Sequence, residues 1–197
     1  MIKNILLFFL FPLSLGLVVG SGWAYYQIKQ FGKSKDQQIL NGSWQTSLEI
    51  GSERETLFGR ATVALNALFG LSKEEVIYFT ATRDHEGNLI ESQSEYVIEG
   101  QNIENARYWS ITLYGEDLFL VPNSIQRFNM NAATVVFEKD TQKFQIYVSA
   151  QKKEKNWLPM PQKPQSIYLL LRLYNPQKSI YEHLDSIRLP IIKKIKN

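Results

Sequence analysis

The sequence predicts a mainly β protein: an antiparallel β-sandwich or jelly roll with one helix ahead of the strands, plus an N-terminal transmembrane helix. Three observations predict it. No charged residue occurs from Ile5 to Tyr26. Segments with apolar residues at every second position recur through the rest of the chain, with turn residues about every ten residues. No helical pattern separates the later strands, which disfavours a βαβ fold.

The N-terminal stretch is long enough, as a helix with a rise of about 1.5 Å per residue, to cross a bilayer core of roughly 30 Å. Trp23, Tyr25 and Tyr26 stand at its end, where aromatic residues gather at a membrane interface. A cleaved signal peptide is the alternative, with Gly22-Trp23-Ala24 as its cleavage site. We favour an uncleaved anchor.

The predicted domain organisation therefore has three parts. Residues 1–28 form the transmembrane anchor, residues 29–43 a polar linker, and residues 44–197 the β-sandwich domain. Lys29, Lys33 and Lys35 follow the span, so charge counting alone favours a cytoplasmic domain. A very short N-terminal flank before an apolar stretch is instead typical of exported domains, and we favour export.

Composition narrows the function classes. Aromatic residues make up 13% of the chain, which suits a β-rich fold. The chain has no Cys, which excludes disulfides, thiolate zinc sites and cysteine nucleophiles. The net charge is +3, and no basic stripe is interleaved with aromatic residues, so a nucleic-acid partner is disfavoured.

One helix is predicted ahead of the strands. Asn41-Gly42-Ser43 has the composition of a turn. After Ser52, apolar residues follow helical spacing, and Ser52 with Glu55 resembles a capping box. Gly70 is expected to end this helix. The apolar positions of the helix are Leu57, Ala61, Ala64, Leu65, Leu68 and Phe69.

Alternation predicts the strands that follow. The segment 106–117 places Ser110 and Thr112 on one face of a strand and Trp109 and Ile111 on the other. The sequence DHEGN at 84–88 predicts a turn. The remaining predicted strands are 76–82, 96–100, the pair 134–140 and 143–150 as a hairpin, and the strongly apolar 166–174.

The sequence contains no recognisable catalytic, metal-binding or phosphate-binding motif. His85 and His183 have no second histidine at ligand spacing, and Asp84-His85-Glu86 has the composition of a polar turn, so no metal site is expected. The sequence contains no G-x-S-x-G elbow and no glycine-rich phosphate loop. We therefore expect no cofactor, and the catalytic residues, if there are any, stay unknown.

Arginine and aromatic residues do stand out on segments that are otherwise apolar. Arg172 is flanked by leucines, where a charge is costly unless it is paired or lies at a rim. These residues either form a pocket that grips an anionic or aromatic ligand, or they hydrogen-bond loop carbonyls and pin the Trp157 loop over the sheet. The candidate ligand-binding residues are Trp109, Arg127, Asn156, Trp157, Arg172 and Tyr174.

The same segments resemble the domain of unknown function 1214 family. The similar motifs are YWSITLY at 108–114, PNSIQRF at 122–128, NWLPMP at 156–161, LLLRLYNP at 169–176 and the segment 74–100. The resemblance implies a jelly-roll sandwich from a bacterium, and often a companion, the domain of unknown function 1254. It brings no established catalytic residues. Gly115-Glu116 departs from the family loop, where an Asp is common.

Two hypotheses follow for function. The first is a binding domain in a bacterial inner membrane with its globular part in the periplasm. Its rim, which bears Trp109, Arg127, Trp157 and Arg172, would dock the companion domain or a small ligand. The second is an enzyme that acts on a lipid or another small envelope molecule and uses the same rim as an anion clamp.

Overall fold

The structure is a computed structural model that describes residues 2–30, 38–47, 52, 57–65 and 71–195. Within these ranges the helices are α1 (Ile2–Gln30) and α2 (Leu57–Leu65), with a 3-10 helix at Lys178–Glu182. The strands are β1 (Ile39–Asn41), β2 (Trp44–Thr46), β3 (Val76–Ala81), β4 (Tyr96–Gln101), β5 (Ala106–Tyr114), β6 (Asn129–Asn131), β7 (Lys143–Ser149), β8 (Trp157–Pro159), β9 (Tyr168–Pro176) and β10 (Ile191–Lys194).

Helix α1 contains the predicted span. From Phe8 to Gln27 it is apolar and long enough to cross a membrane, and none of that stretch is buried inside the protein. Leucine, phenylalanine and valine side chains along it are more than half exposed. An apolar N-terminal helix of this kind fits a membrane anchor, and it equally fits a signal sequence.

The described residues between α1 and β3 include a hairpin and a helix. The predicted turn at 41–43 is confirmed, because Gly42 has a φ of 59° and joins β1 to β2. A positive φ of this size suits glycine, which has no Cβ to clash. The predicted helix is confirmed as α2 over 57–65. Glu55 and Gly70, its predicted cap and stop, lie outside the described residues.

The larger sheet has six strands in the order β1-β2-β3-β9-β5-β6, all antiparallel. Strand β9 lies near its centre, between β3 and β5. Leu171 and Leu173 face the core, and Leu170 is buried on the opposite face.

The smaller sheet has four strands in the order β10-β4-β7-β8. The pairs β10–β4 and β4–β7 are antiparallel. The pair β7–β8 is parallel, with Tyr147 opposite Trp157. Every other strand pair among the described residues is antiparallel, so the predicted antiparallel sandwich has this one exception.

One core joins the two sheets. Phe79 and Ile111 of the larger sheet are buried in the same apolar cluster as Ile146 of the smaller sheet. The Trp109 ring stacks on Phe144 across the interface, with ring centroids 4.9 Å apart. The predicted β-sandwich is thus confirmed as two packed sheets, while the jelly-roll connectivity stays a prediction.

The predicted strand at 134–140 is wrong. Thr134 and Val135 donate their backbone N–H groups to the carbonyl of Asn131, in a turn that follows β6. The backbone groups of Val136 are taken by the side-chain amide of Asn156. Of the expected hairpin, the bond from Glu138 N–H to the Lys143 carbonyl remains. The alternating apolar pattern was present, but turn and side-chain hydrogen bonds replace the strand pairing.

Candidate functional site

Asn156 and Trp157 stand at the start of β8, where both have structural partners. Asn156 is 4% exposed, and its Oδ1 accepts from Val136 N–H at 2.7 Å. Its Nδ2 donates to the carbonyls of Val136 and Gln145, at 2.9 and 3.0 Å. The buried Trp157 donates its Nε1–H to the Ser149 carbonyl at 2.9 Å. These bonds satisfy the polar atoms of both side chains within the protein.

Arg127 lies beside this pair. Its guanidinium donates to the Trp157 carbonyl at 3.1 Å. The Asn123 side chain bonds both the N–H and the carbonyl of Arg127 and so fixes its backbone. Arg127 therefore has the structural role that the sequence allowed as the alternative to ligand binding: its guanidinium bonds a loop carbonyl and holds the Trp157 segment in place.

Trp109 lies in the core. It is 1% exposed and faces the smaller sheet, where its ring stacks on Phe144. Its Nε1–H reaches Asn102 Oδ1 at 3.3 Å. On the neighbouring strand Trp109 is paired with Leu173, so Arg172 points to the opposite face. The structure therefore does not bring Trp109 and Arg172 to one rim.

Arg172 lies on the face of the larger sheet that points away from the smaller sheet, which we call the outer face. Its guanidinium donates to Thr112 Oγ1 at 3.0 Å and to the Tyr114 hydroxyl at 2.9 Å. The same guanidinium carbon is 5.9 Å from the Tyr78 ring centroid and 6.0 Å from that of Tyr114. Arg172 and Tyr114 are both partly exposed. We call Arg172, Thr112, Tyr114 and Tyr78 the Arg172 cluster.

Tyrosines continue the cluster along the outer face. Tyr174 and Tyr108 are cross-strand partners, with ring centroids 5.6 Å apart. Burial raises the pKa of Tyr78, although a hydrogen bond from Leu71 and the charge of Arg172 oppose it. Burial also raises the pKa of Tyr108, helped by the nearby Tyr174. Both phenols are therefore neutral hydroxyl groups at neutral pH.

The chemistry available at the Arg172 cluster is that of hydrogen-bond donation. Because the oxygens of Thr112 and Tyr114 accept from the guanidinium, their own hydrogens point elsewhere and can be donated. Among the described residues no carboxylate forms an ion pair with Arg172; their ion pairs are Lys153–Glu95 and Lys193–Glu99, on the smaller sheet. A partly buried guanidinium with hydroxyl donors beside it suits an anion.

Sequence reasoning did not name Tyr78, Thr112 or Tyr114 as site residues. The signal was available, because alternation placed Thr112 and Tyr114 on one face of their strand. What was missing was the strand order that puts β3 and β5 on either side of β9. Ligand binding by the six candidate residues stays a prediction. The geometry separates them into three groups: Trp109 in the core, Arg127, Asn156 and Trp157 around the start of β8, and Arg172 and Tyr174 on the outer face.

The described part of the chain contains no cluster of side chains suited to binding a metal ion. There, no group of three or more His, Asp or Glu side chains could hold an ion. Asp84 caps the turn at 84–88, with Oδ1 accepting the N–H groups of Glu86 and Asn88 at 2.9 Å each. His85 Nδ1 lies 3.1 Å from the Ile192 carbonyl.

Fold and site together define a β-sandwich domain whose outer face carries Arg172 among tyrosines. The family model described as "Protein of unknown function (DUF1214)" matches residues 75–178, more than half of the chain. The chain therefore belongs to the DUF1214 family, as the resemblance of its motifs implied. No curated protein matches the chain.

Two solved structures are similar to the chain. One is the crystal structure of the VPA0106 protein from Vibrio parahaemolyticus, with a TM-score of 0.60 and 22% identity; the match covers 93% of this chain and 45% of that one. The other is a putative uncharacterized protein from Burkholderia cenocepacia, with a TM-score of 0.48 and 16% identity over 92% of this chain and 42% of that one. The Vibrio likeness shows the fold alone, and this chain spans less than half of either protein.

Proposed function

We propose that this chain is a binding domain, held at a membrane by α1, that captures a carboxylate or phosphate group at the Arg172 cluster. The observation that carries the proposal is the position of the Arg172 guanidinium. It sits partly buried among hydroxyl groups, and among the described residues no carboxylate pairs with it. Leaving such a charge without a counter-ion is costly, and a bound anion removes that cost.

The hydrogen-bond donors of the cluster determine how the oxygens of the anion must be arranged. A guanidinium has five N–H donors in one plane, and two are used by Thr112 and Tyr114. The remaining donors suit two oxygens side by side, as in a carboxylate or phosphate. The Tyr114 hydroxyl, which is partly exposed, adds a further donor. Tyrosine rings around the charge supply apolar contact for the rest of the ligand.

The anion belongs either to a small molecule or to an acidic side chain of a partner domain. Tyrosine and arginine are enriched at the centres of protein interfaces, so the outer face suits both. The Vibrio protein is more than twice as long as the part that this chain matches. This supports a companion domain, for which the domain of unknown function 1254 is our proposal. An enzyme that uses the same cluster as an anion clamp stays the alternative.

The cellular location of the domain is part of the proposal. Helix α1 serves as a single-pass anchor in a bacterial inner membrane, and the sandwich faces the periplasm. Support comes from the length and apolarity of α1 and from the aromatic residues near its end.

The experiment uses the full-length chain in a neutral detergent with inorganic phosphate and acetate as probes. Unfolding temperature is measured in each probe against sodium chloride at equal ionic strength. A site with a Kd of about 1 mM gains about 1.4 kcal/mol at about 10 mM probe, which raises the unfolding temperature by about 3–6 °C. Arg172→Gln is expected to abolish this rise.

Arg188→Gln is the matched control. Arg188 is exposed, and its guanidinium donates to Gln101 Oε1 at 2.8 Å, away from the outer face. The control should keep the full probe-induced rise. An equal rise in the two variants would mean that the anion binds elsewhere, and no rise in the unmodified protein would reject a free anion as the ligand. In that case an acidic partner surface remains, and Arg172→Gln should weaken its capture.

A further inference from the structure

We propose that α2 lies on the membrane surface beside α1, within the headgroup layer of the bilayer that α1 crosses. The proposal rests on the membrane anchoring by α1 proposed above, and it adds a second contact with lipid that holds the sandwich in one orientation. Its evidence comes from the contact between the two helices and from the residues that α2 leaves exposed.

The contact between α2 and α1 can be located along α1. The two helices are in contact. Between Phe8 and Gln27 the residues of α1 are exposed except Ala24 and Gln27, which are partly buried. Partial burial one helical turn apart marks one side of α1, near its C-terminal end. We infer that α2 contacts α1 at this end.

This end of α1 carries the residues that mark a membrane interface. Trp23, Tyr25 and Tyr26 are 57%, 60% and 58% exposed. Indole and phenol rings settle at the level of the lipid headgroups. Since Ala24 and Gln27 lie among these aromatic residues, α2 meets α1 at headgroup level.

The exposed face of α2 has the chemistry of an interfacial helix. Leu57, Arg60 and Ala64 are exposed and stand three and four residues apart, on one side of the helix. Leu57 is 82% exposed, which leaves almost its whole side chain uncovered by the protein. From Leu57 to Leu71 the sequence contains one charged residue, Arg60. Apolar side chains facing the acyl boundary, with a cation for the lipid phosphates, are typical of helices that lie in the interface.

The connection after α1 keeps the start of the larger sheet near the bilayer. Eight residues separate Gln30, the end of α1, from Ile39, the start of β1. Even fully extended they span only about 30 Å. Helix α2 begins at Leu57, after the hairpin of β1 and β2, and its contact with α1 keeps it beside the bilayer that α1 crosses.

The test uses the absence of cysteine from the chain. Single cysteines are introduced into the full-length protein at Leu57, Leu17 and Asp140 and labelled with the fluorophore NBD. The protein is placed in vesicles of phosphatidylethanolamine and phosphatidylglycerol that contain nitroxide lipids. Leu17 lies within α1 and reports anchoring, whereas Asp140 is an exposed turn residue of the sandwich and reports water.

We expect the label of Leu57→Cys to be quenched at least about three times more strongly than that of Asp140→Cys, and most by nitroxides close to the headgroup. The label of Leu17→Cys should be quenched most by nitroxides deep in the acyl chain. If the Leu17→Cys label is quenched by deep nitroxides but the Leu57→Cys label is quenched no more than the Asp140→Cys label, the lipid contact of α2 is overturned and the anchor stays intact. If the Leu17→Cys label is also in water, the anchor itself is overturned. Ala64→Cys repeats the measurement on the same face should Leu57→Cys fail to fold.

Discussion

Replacing Asn156 with alanine tests how the segment after β6 is held in place. The substitution removes three hydrogen bonds, one accepted from Val136 N–H and two donated to the carbonyls of Val136 and Gln145. Their lengths are 2.7, 2.9 and 3.0 Å. Together they replace the strand pairing that the sequence predicted for residues 134–140.

The expected cost follows from the environment of these bonds. A net contribution of about 1 kcal/mol for each bond gives about 3 kcal/mol. Asn156 is 4% exposed, so water reaches little of the space that its side chain leaves. The Val136 side chain is 61% exposed, however, so water can satisfy part of its backbone. We therefore expect a loss of about 2–3 kcal/mol, or about 5–10 °C in unfolding temperature.

The assay is thermal unfolding of the full-length protein in detergent, followed by tryptophan fluorescence. The matched control is Asn129→Ala, because Asn129 is exposed and its side chain makes one bond, accepted from Asn131 at 2.8 Å. Its cost should stay within about 0.5 kcal/mol. If Asn156→Ala unfolds at the same temperature as the control, the side-chain bonds do not hold this segment.

Two further predictions concern stability. Hydrogen bonds from Lys153 and then Ser149 hold the pKa of Glu95 below its ordinary value of 4.5. A carboxyl with a lowered pKa stabilises the fold above that ordinary value and loses the effect as pH falls through the folded pKa. Lys153→Met should therefore cost about 1 kcal/mol or less at pH 6, and the difference in urea midpoint from the unmodified protein should shrink as the pH falls through the folded pKa of Glu95. A difference that stays constant with pH would contradict this. For Gly100→Ala, a new Cβ would lie 2.7 Å from the buried ring of Phe144, so we expect a loss of about 1–3 kcal/mol in urea unfolding, and an unchanged midpoint would refute the packing.

Alternation along single strands was enough to predict the faces of the long strands. Trp109 and Ile111 face the core, as their spacing predicted. These features are local, since the period of two in a strand needs only the sequence of that strand. The same holds for the turns at 41–43 and 84–88.

Features that depend on distant parts of the chain could not be predicted. The hydrogen-bond acceptors of Arg172 come from β5 and the Tyr78 ring beside it comes from β3, and both are fixed by strand order and register. The three-residue strand β8 is held by parallel pairing with the distant β7, and at residues 134–140 the side-chain bonds of Asn156 take the backbone groups of Val136. Patterns in one segment carry no information on a competing bond from another segment.

The central claim is that an anion binds at the Arg172 guanidinium, and anomalous diffraction tests it most directly. Crystals of the full-length protein grown with selenate, an analogue of phosphate, are measured at the selenium absorption edge. We expect an anomalous peak about 4 Å from the Arg172 guanidinium nitrogens and the Tyr114 hydroxyl oxygen, because the selenate oxygens that accept from these groups lie at hydrogen-bond distance, about 3 Å. Ordered selenate at other arginines, with none at Arg172, would contradict the account.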